Sequence, residues 1–180
     1  VLDAAKEIAG DKRLILTLTH FHPEHGYGAQ AFKGEAEIFY NAAQRDELAE
    51  KGEAYLGMFK TFGPAVAEAL EGTELVMPDK VYDGATAEID LGGRTICFRT
   101  WGLTHTKADQ TVSLPEARIP FTPHLAQARI LPTFPSFPPA DTHHPPPRSV
   151  LLLTHLDPLP PPPLVPTRRD LCQPAAPRPA

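Results

Sequence analysis

The sequence predicts an α/β fold that ends in a proline-rich tail. Up to residue 115, helical segments alternate with short apolar, β-branched runs of the kind that strands are built from. Beyond this point the composition changes: 19 of the 22 prolines lie from Pro115 onward, and no lysine follows Lys107. Proline removes a backbone donor and fixes φ, so a packed core is not expected there. We therefore predict a domain over residues 1–121 and an irregular, poorly ordered continuation over 122–180.

The first predicted elements are helices and strands in turn. In chain order they are a helix at 3–9, a strand at 13–19, a strand at 36–40, and helices at 41–56 and 58–70. Gly10 ends the first helix, and Asn41 is a residue type that commonly caps the start of one. The strand at 13–19 is predicted to run directly into His20.

Two hairpins are predicted after the helices. Strands at 86–91 and 95–100 flank Gly92-Gly93, a pair suited to the positive φ angles of a tight turn. Strands at 110–114 and 118–121 flank Pro115-Glu116, which favours a second turn.

Charge and hydropathy exclude several classes of partner. The formal net charge is −5, so no basic field attracts nucleic acid or an anionic membrane, and a small-molecule substrate is expected. No apolar run approaches the roughly 20 residues of a membrane span, and the first residues do not have the pattern of a signal peptide. Neither the compartment nor the oligomeric state follows from the sequence.

The densest chemical signal is a cluster of three imidazoles and a carboxylate within six residues, formed by His20, His22, Glu24 and His25. In an extended segment His20 and His22 point to the same side, and a turn at Pro23 is expected to bring Glu24 and His25 to a neighbouring position. Neutral imidazole is a favoured zinc ligand. A zinc ion with three protein ligands and an open position lowers the pKa of bound water to about 7. The cluster therefore predicts a zinc site.

This segment resembles the His-x-His-x-(Asp/Glu)-His signature of the metallo-β-lactamase superfamily. The run from Trp101 to Val112, which contains His105, is similar to the second metal-binding loop of the family. The resemblance implies a partial four-layer αββα sandwich, whose opening N-terminal strands are expected to be missing. It also implies one or two zinc ions. By the resemblance, His20, His22 and His105 bind the first ion, and Glu24 and His25 serve the second.

The resemblance fades after residue 121. The family pattern places Gly-Asp after the last hairpin, with a carboxylate that bridges the metals, whereas this chain has Pro123-His124. Arg168 stands in the segment where the last His ligand is expected, and a guanidinium offers donors but no lone pair to a metal. One bound ion is therefore expected rather than two.

Three hypotheses about function follow. The first is a zinc-dependent hydrolase, impaired in this chain, in which metal-bound hydroxide attacks an ester, thioester, lactone or lactam and Glu24 orients it or accepts the proton. The second is a non-catalytic fragment that binds at most one ion. The third makes the proline runs a ligand for an SH3-like partner, although no basic pattern lies beside them.

Overall fold

The computed structural model describes residues 1–102 and 106–123. The chain divides into two units, of which the first is Val1–Tyr82 and the second begins at Asp83. The predicted boundary at residue 121 and the predicted poor order of the tail stay predictions, because residues 124–180 lie outside the described part. Among the described residues, no helix has the length and apolarity needed to cross a membrane.

The first unit contains a three-stranded parallel sheet in the order β1-β2-β3. Its strands are β1 Ile15–Leu16, β2 Glu37–Asn41 and β3 Lys80–Tyr82. Ile15 pairs with Glu37, and Phe39 pairs with Lys80. The central strand β2 is buried over its last four residues, as is usual for the central strand of a parallel sheet.

Four helices belong to the first unit: α1 Leu2–Ala9, α2 Pro23–Gly26, α3 Ala42–Lys60 and α4 Pro64–Ala69, with a 3₁₀ segment at Tyr27–Phe32. The helix predicted at 3–9 is confirmed and ends at Gly10, whose φ is 59°. The helix predicted at 58–70 is wrong in its first part, because α3 continues to Lys60. Gly63, with φ of 144°, and Pro64 at the first helical position separate α3 from α4.

Asn41 caps α3 as the sequence predicted. Its side-chain oxygen accepts a hydrogen bond from the amide of Ala43 at 3.0 Å, and Gln44 Oε1 accepts from the amide of Asn41 at 3.0 Å. The Asn41 side chain also accepts from the amide of Gln44, so Asn41 and Gln44 form a capping box.

Two strands of the first unit differ from the prediction. The strand expected at 13–19 pairs only at Ile15–Leu16, so the chain leaves the sheet before it reaches His20. Beyond the strand, the carbonyl of Leu18 accepts a hydrogen bond from the side chain of Gln44. Strand β3 was not predicted, since it is three residues long and begins with an exposed lysine.

A single apolar cluster forms the core of the first unit. It is made of Leu18, Phe21, Ala29, Ile38, Tyr40, Leu48 and Val76, with Leu16, Tyr55 and Leu75 packed against it. Leu18 and Phe21 come from the segment that carries the histidines, so this segment is anchored in the core.

The second unit contains a four-stranded antiparallel sheet in the order β4-β5-β6-β7. Its strands are β4 Thr86–Asp90, β5 Thr95–Thr100, β6 Gln110–Leu114 and β7 Ile119–Phe121. Both predicted hairpins are confirmed. Gly92 and Gly93 adopt φ angles of 80° and 99°, and Asp90 Oδ1 accepts from both of their amides, at 2.8 and 3.2 Å.

Candidate metal centre

The histidine cluster lies just beyond strand β1. His20 and Phe21 are each 1% exposed, whereas Glu24 and His25 face solvent. His22 is intermediate between these extremes. The segment therefore passes from the buried core to the surface within six residues.

The three imidazole rings come together. The ring centroids of His20 and His22 are 5.0 Å apart with the planes at 68°, and those of His20 and His25 are 4.5 Å apart at 57°. The expected turn at Pro23 is a short helix, with His22 at its N-cap and Pro23 at its first position. The helix, rather than an extended chain, brings the ring of His25 beside that of His20.

Glu24 lies near both His22 and His25. Its Oε1 is 3.5 Å from His22 Nδ1 and 4.0 Å from His25 Nε2, and its side chain is half exposed. On the buried side, Thr19 Oγ1 is 3.0 Å from His20 Nδ1. The carboxylate is thus within reach of two imidazoles and of solvent, which suits it to accept and release a proton.

Two side chains from outside the motif support the segment. Gln44 Nε2 donates to the carbonyl of Leu18 at 3.2 Å, and Tyr27 Oη donates to the carbonyl of Gly52 at 2.8 Å. Burial raises the pKa of Tyr27 to about 12, with smaller contributions from the negative charges of neighbouring groups, including Glu24. Sequence reasoning missed both supports. The Asn-x-x-Gln spacing at the start of α3 is the signal that points to Gln44.

The loop between β5 and β6 is also built around a carboxylate. Thr106 donates from its amide to Asp109 Oδ2 at 2.8 Å and from its hydroxyl to Asp109 Oδ1 at 3.1 Å. The amide of Trp101 donates to the carbonyl of Asp109 at 2.8 Å, which closes the base of the loop. Thr106 and Asp109 are both buried. Asp109 was not predicted as a functional residue, and His105 lies outside the described residues.

Zinc fits the chemistry of this donor set. Imidazole nitrogen and carboxylate oxygen are its usual ligands, and His20, His22, Glu24 and His25 offer both within one short segment. In the described ranges, no group of three or more histidine, cysteine, aspartate or glutamate side chains is arranged as a formed metal site. His105, the predicted ligand from the second loop, is outside those ranges, so the predicted ligand set stays a prediction.

Comparison with solved structures identifies the fold. A metallo-β-lactamase from Pontibacter korlensis matches with a TM-score of 0.60 and 17% identity, over 86% of this chain and 60% of that one. The DIM-1 metallo-β-lactamase matches with a TM-score of 0.52 and 16% identity, over 71% of this chain and 49% of that one. This chain has the metallo-β-lactamase fold.

The fold class predicted from the sequence is therefore confirmed, and so is its partial character. The chain spans about 60% of the length of the Pontibacter enzyme that it matches. No family model matches the sequence, and no curated protein is significantly similar to it. At 16–17% identity the likeness establishes the metallo-β-lactamase fold, and the activity of this chain has to be argued from its own residues.

Proposed function

We propose that this chain is a zinc-dependent hydrolase of the metallo-β-lactamase type, impaired in its second metal site, and that it acts on a small ester, thioester, lactone or lactam. The observation that carries the proposal is the convergence of three imidazoles and one carboxylate just beyond the first strand, on a metallo-β-lactamase fold. A bare structural role does not account for four such groups within six residues, two of which face solvent.

Each residue has a distinct task in this proposal. His20 and His22 hold the zinc ion together with His105, which is assigned by resemblance. When bound there, zinc would supply Lewis-acid chemistry, polarising a carbonyl oxygen and lowering the pKa of water. The ring of His20, at 1% exposure, keeps the inner side of the site dry. Glu24 holds the transferred proton at Oε1, 3.5 Å from His22 Nδ1, and passes it to solvent.

The second metal site is proposed to be impaired because of the residues that follow the last hairpin. Pro123 is buried two residues after strand β7, where the family resemblance calls for glycine, and the next residue is His124 in place of aspartate. Without that bridging carboxylate, Glu24 and His25 are the assigned ligands of the second ion. Two ligands are too few for the usual four-coordinate zinc shell. We therefore expect one ion to bind tightly.

The replacement of Gly-Asp by Pro123-His124 also favours a second candidate function. If the loss of the Gly-Asp pair abolishes catalysis, the chain is a non-catalytic protein that binds at most one metal ion. Metal binding alone does not separate this candidate from the impaired hydrolase, so hydrolysis has to be measured beside it.

The experiment uses the full chain, stripped of metal and titrated with zinc. Bound zinc is counted by mass spectrometry, and hydrolysis is followed on one chromogenic ester, thioester, lactone and lactam. We expect one zinc ion and weak hydrolysis, both lost in a His20→Ala, His105→Ala double variant. His155→Ala, which removes a histidine outside the assigned ligand set, is the matched control. Zinc without hydrolysis of any substrate supports the non-catalytic candidate, and the absence of bound zinc contradicts the zinc-dependent hydrolase.

Restoring the family pattern tests the impairment directly. The substitutions Pro123→Gly, His124→Asp and Arg168→His, made together, supply a carboxylate and an imidazole where the resemblance expects them. Bound zinc should rise toward two ions, and hydrolysis should rise with it. A chain that already binds two ions and hydrolyses the substrates efficiently before restoration shows that the second site is not impaired.

A further inference from the structure

Gln44 connects the start of helix α3 to the chain that enters the histidine cluster. Its side chain is fully buried, and both ends of its amide are used. Gln44 Oε1 accepts from the amide of Asn41 at 3.0 Å, and Nε2 donates to the carbonyl of Leu18 at 3.2 Å, 26 residues away. Gln44 therefore takes part in the capping box of α3 and also makes a tertiary hydrogen bond to Leu18.

Capping alone does not require glutamine at this position. A capping box needs a side-chain oxygen at the third helical residue, and glutamate supplies it as well as glutamine does. A negative charge in the first turn also interacts favourably with the helix dipole. The carbonyl of Leu18, however, accepts from the amide nitrogen of Gln44, a donor that an ionised carboxylate does not have. The donation to Leu18 is therefore the property specific to glutamine.

The Leu18 carbonyl lies just before the proposed metal-binding segment, which runs from His20 to His25. Strand β1 ends at Leu16, and His20 comes two residues after Leu18. On one side of His20 the backbone is tied by Gln44, and on the other side Phe21 is locked into the core at 1% exposure. The His20 ring is thus held between a buried hydrogen bond and a buried aromatic ring.

We propose that Gln44 is a positioning residue for the imidazoles of the histidine cluster. By holding the Leu18 carbonyl, it fixes the backbone from which His20 projects, and through the ring contacts of His20 it sets the approach of His22 and His25. This inference rests on the proposed zinc site for its ligand. Residues that orient metal ligands from outside typically change metal affinity about 10–100-fold when they are replaced.

The test is Gln44→Glu in the full chain, because this substitution keeps the capping oxygen and removes the donor to Leu18. The first measurement needs no metal: hydrogen exchange by mass spectrometry in peptides covering residues 17–27 and 45–56. We expect faster exchange over 17–27 and unchanged exchange over 45–56. The second is zinc affinity by competition with a chromogenic chelator, which we expect to fall about 10–100-fold.

Leu48→Ala is the matched control for general loss of stability. Leu48 lies one turn along the same helix and packs in the same core, without a hydrogen bond to the metal-binding segment through its side chain. It should lower the melting temperature at least as much as Gln44→Glu and leave zinc affinity within about twofold, well short of the loss expected for an orienting residue.

The outcomes separate this inference from the proposed function. Exchange over 17–27 and zinc affinity both unchanged in Gln44→Glu overturn the positioning role. An equal loss of zinc affinity in Leu48→Ala also overturns it, because the effect is then one of stability. If the unaltered chain binds no zinc, the proposed function fails, and the exchange measurement alone decides whether Gln44 positions the segment.

Discussion

The two loops that carry the predicted zinc ligands are supported in different ways. The segment from His20 to His25 is held by residues far along the chain, through the bond from Gln44 to Leu18 and the burial of Phe21 in the core. The loop between β5 and β6 is closed by its own neighbours, since Thr106 and Asp109 are only three residues apart. One support is tertiary, and the other is local.

This difference predicts which substitutions each loop tolerates. A segment held by distant residues is ordered only when those residues are in place, so it should respond to changes in the side chains that hold it, Gln44 and Phe21. A loop held within a hairpin has a small entropy of closure to overcome and should respond mainly to changes inside the hairpin.

Phe21→Ala should have the largest effect on the first unit. Phe21 is 1% exposed and lies between two of the histidines, so its truncation removes a core ring and opens a cavity. Such substitutions cost about 3–5 kcal/mol. Hydrogen exchange over residues 15–60 should become markedly faster, and zinc binding should fall with it.

Phe98→Ala is the counterpart in the second unit. Phe98 is 2% exposed on strand β5, and a similar cost is expected, with faster exchange over residues 86–114. If Phe21→Ala leaves exchange over 15–60 unchanged, the segment from His20 to His25 does not depend on the core of the first unit.

The same contrast explains what the sequence was able to predict. Adjacent residues determine the hairpin at Gly92-Gly93 and the cap at Asn41, so their patterns predicted both correctly. The histidine cluster was also visible, because its members lie within six residues of one another. The break before Pro64 was missed, because the predicted helix at 58–70 runs through it, although proline favours the first position of a helix and disfavours the interior.

Features that depend on distant residues were not predictable from local patterns. Strand β1 stops at Leu16 while the apolar run continues, and beyond it the Leu18 carbonyl bonds to a side chain 26 residues away, which no local pattern indicates. Strand β3 exists through parallel pairing with β2, about 40 residues earlier in the chain, and its own three residues give little signal. The helix at Pro23 was missed because four residues are too few to show a helical period.

Alkaline pH should destabilise the first unit. Burial raises the pKa of Tyr40 to about 12 from 10.0. A folded-state pKa above the unfolded value means that the stability is present below pH 10 and is lost as the pH rises toward 12. For Tyr40 the loss is about 2–3 kcal/mol, at roughly 1.4 kcal/mol per unit. The raised pKa of Tyr27 acts in the same direction.

Tyrosinate absorbance and circular dichroism measure this effect, since all four tyrosines lie in the first unit, as do all the described α-helices. Helical signal should be lost as tyrosinate forms above pH 10. Tyr40→Phe, which removes the titrating group, should shift this loss to higher pH. If Tyr40 titrates at its ordinary value with the helical signal intact, the ring is accessible to solvent and this explanation is wrong.

Asp109→Ala should have a smaller effect, confined to the second loop. The substitution leaves the buried amide and hydroxyl of Thr106 without their carboxylate acceptor, which costs about 1–3 kcal/mol. Lys107 is exposed within this loop, so trypsin cleavage after it reports whether the loop has opened. Cleavage should be much faster in the variant, while exchange over residues 17–27 stays as it was.

Ser113→Ala is the control for this loop. Ser113 is buried on strand β6, and its hydroxyl donates to the Cys97 carbonyl at 3.4 Å, inside the sheet and away from the loop. It should leave cleavage after Lys107 near the original rate. Equal acceleration by both variants indicates general loosening of the hairpin rather than local closure by Asp109.

The smallest effect is expected for Lys6→Ala, which removes the ion pair between helix α1 and Glu35. The pair is short, with Nζ and Oε2 2.6 Å apart, yet both side chains are nearly half exposed. No residue of α1 is buried, so the helix has little apolar packing to reinforce the pair. Exposed ion pairs contribute less than about 1 kcal/mol, and salt screens them. Urea denaturation should show a change below this value that shrinks further in 0.5 M sodium chloride, a concentration at which the screening length is only about 4 Å. A larger loss that persists in high salt means that Lys6 acts through its aliphatic stem, and then packing by α1 belongs among the tertiary contacts on which the first unit depends.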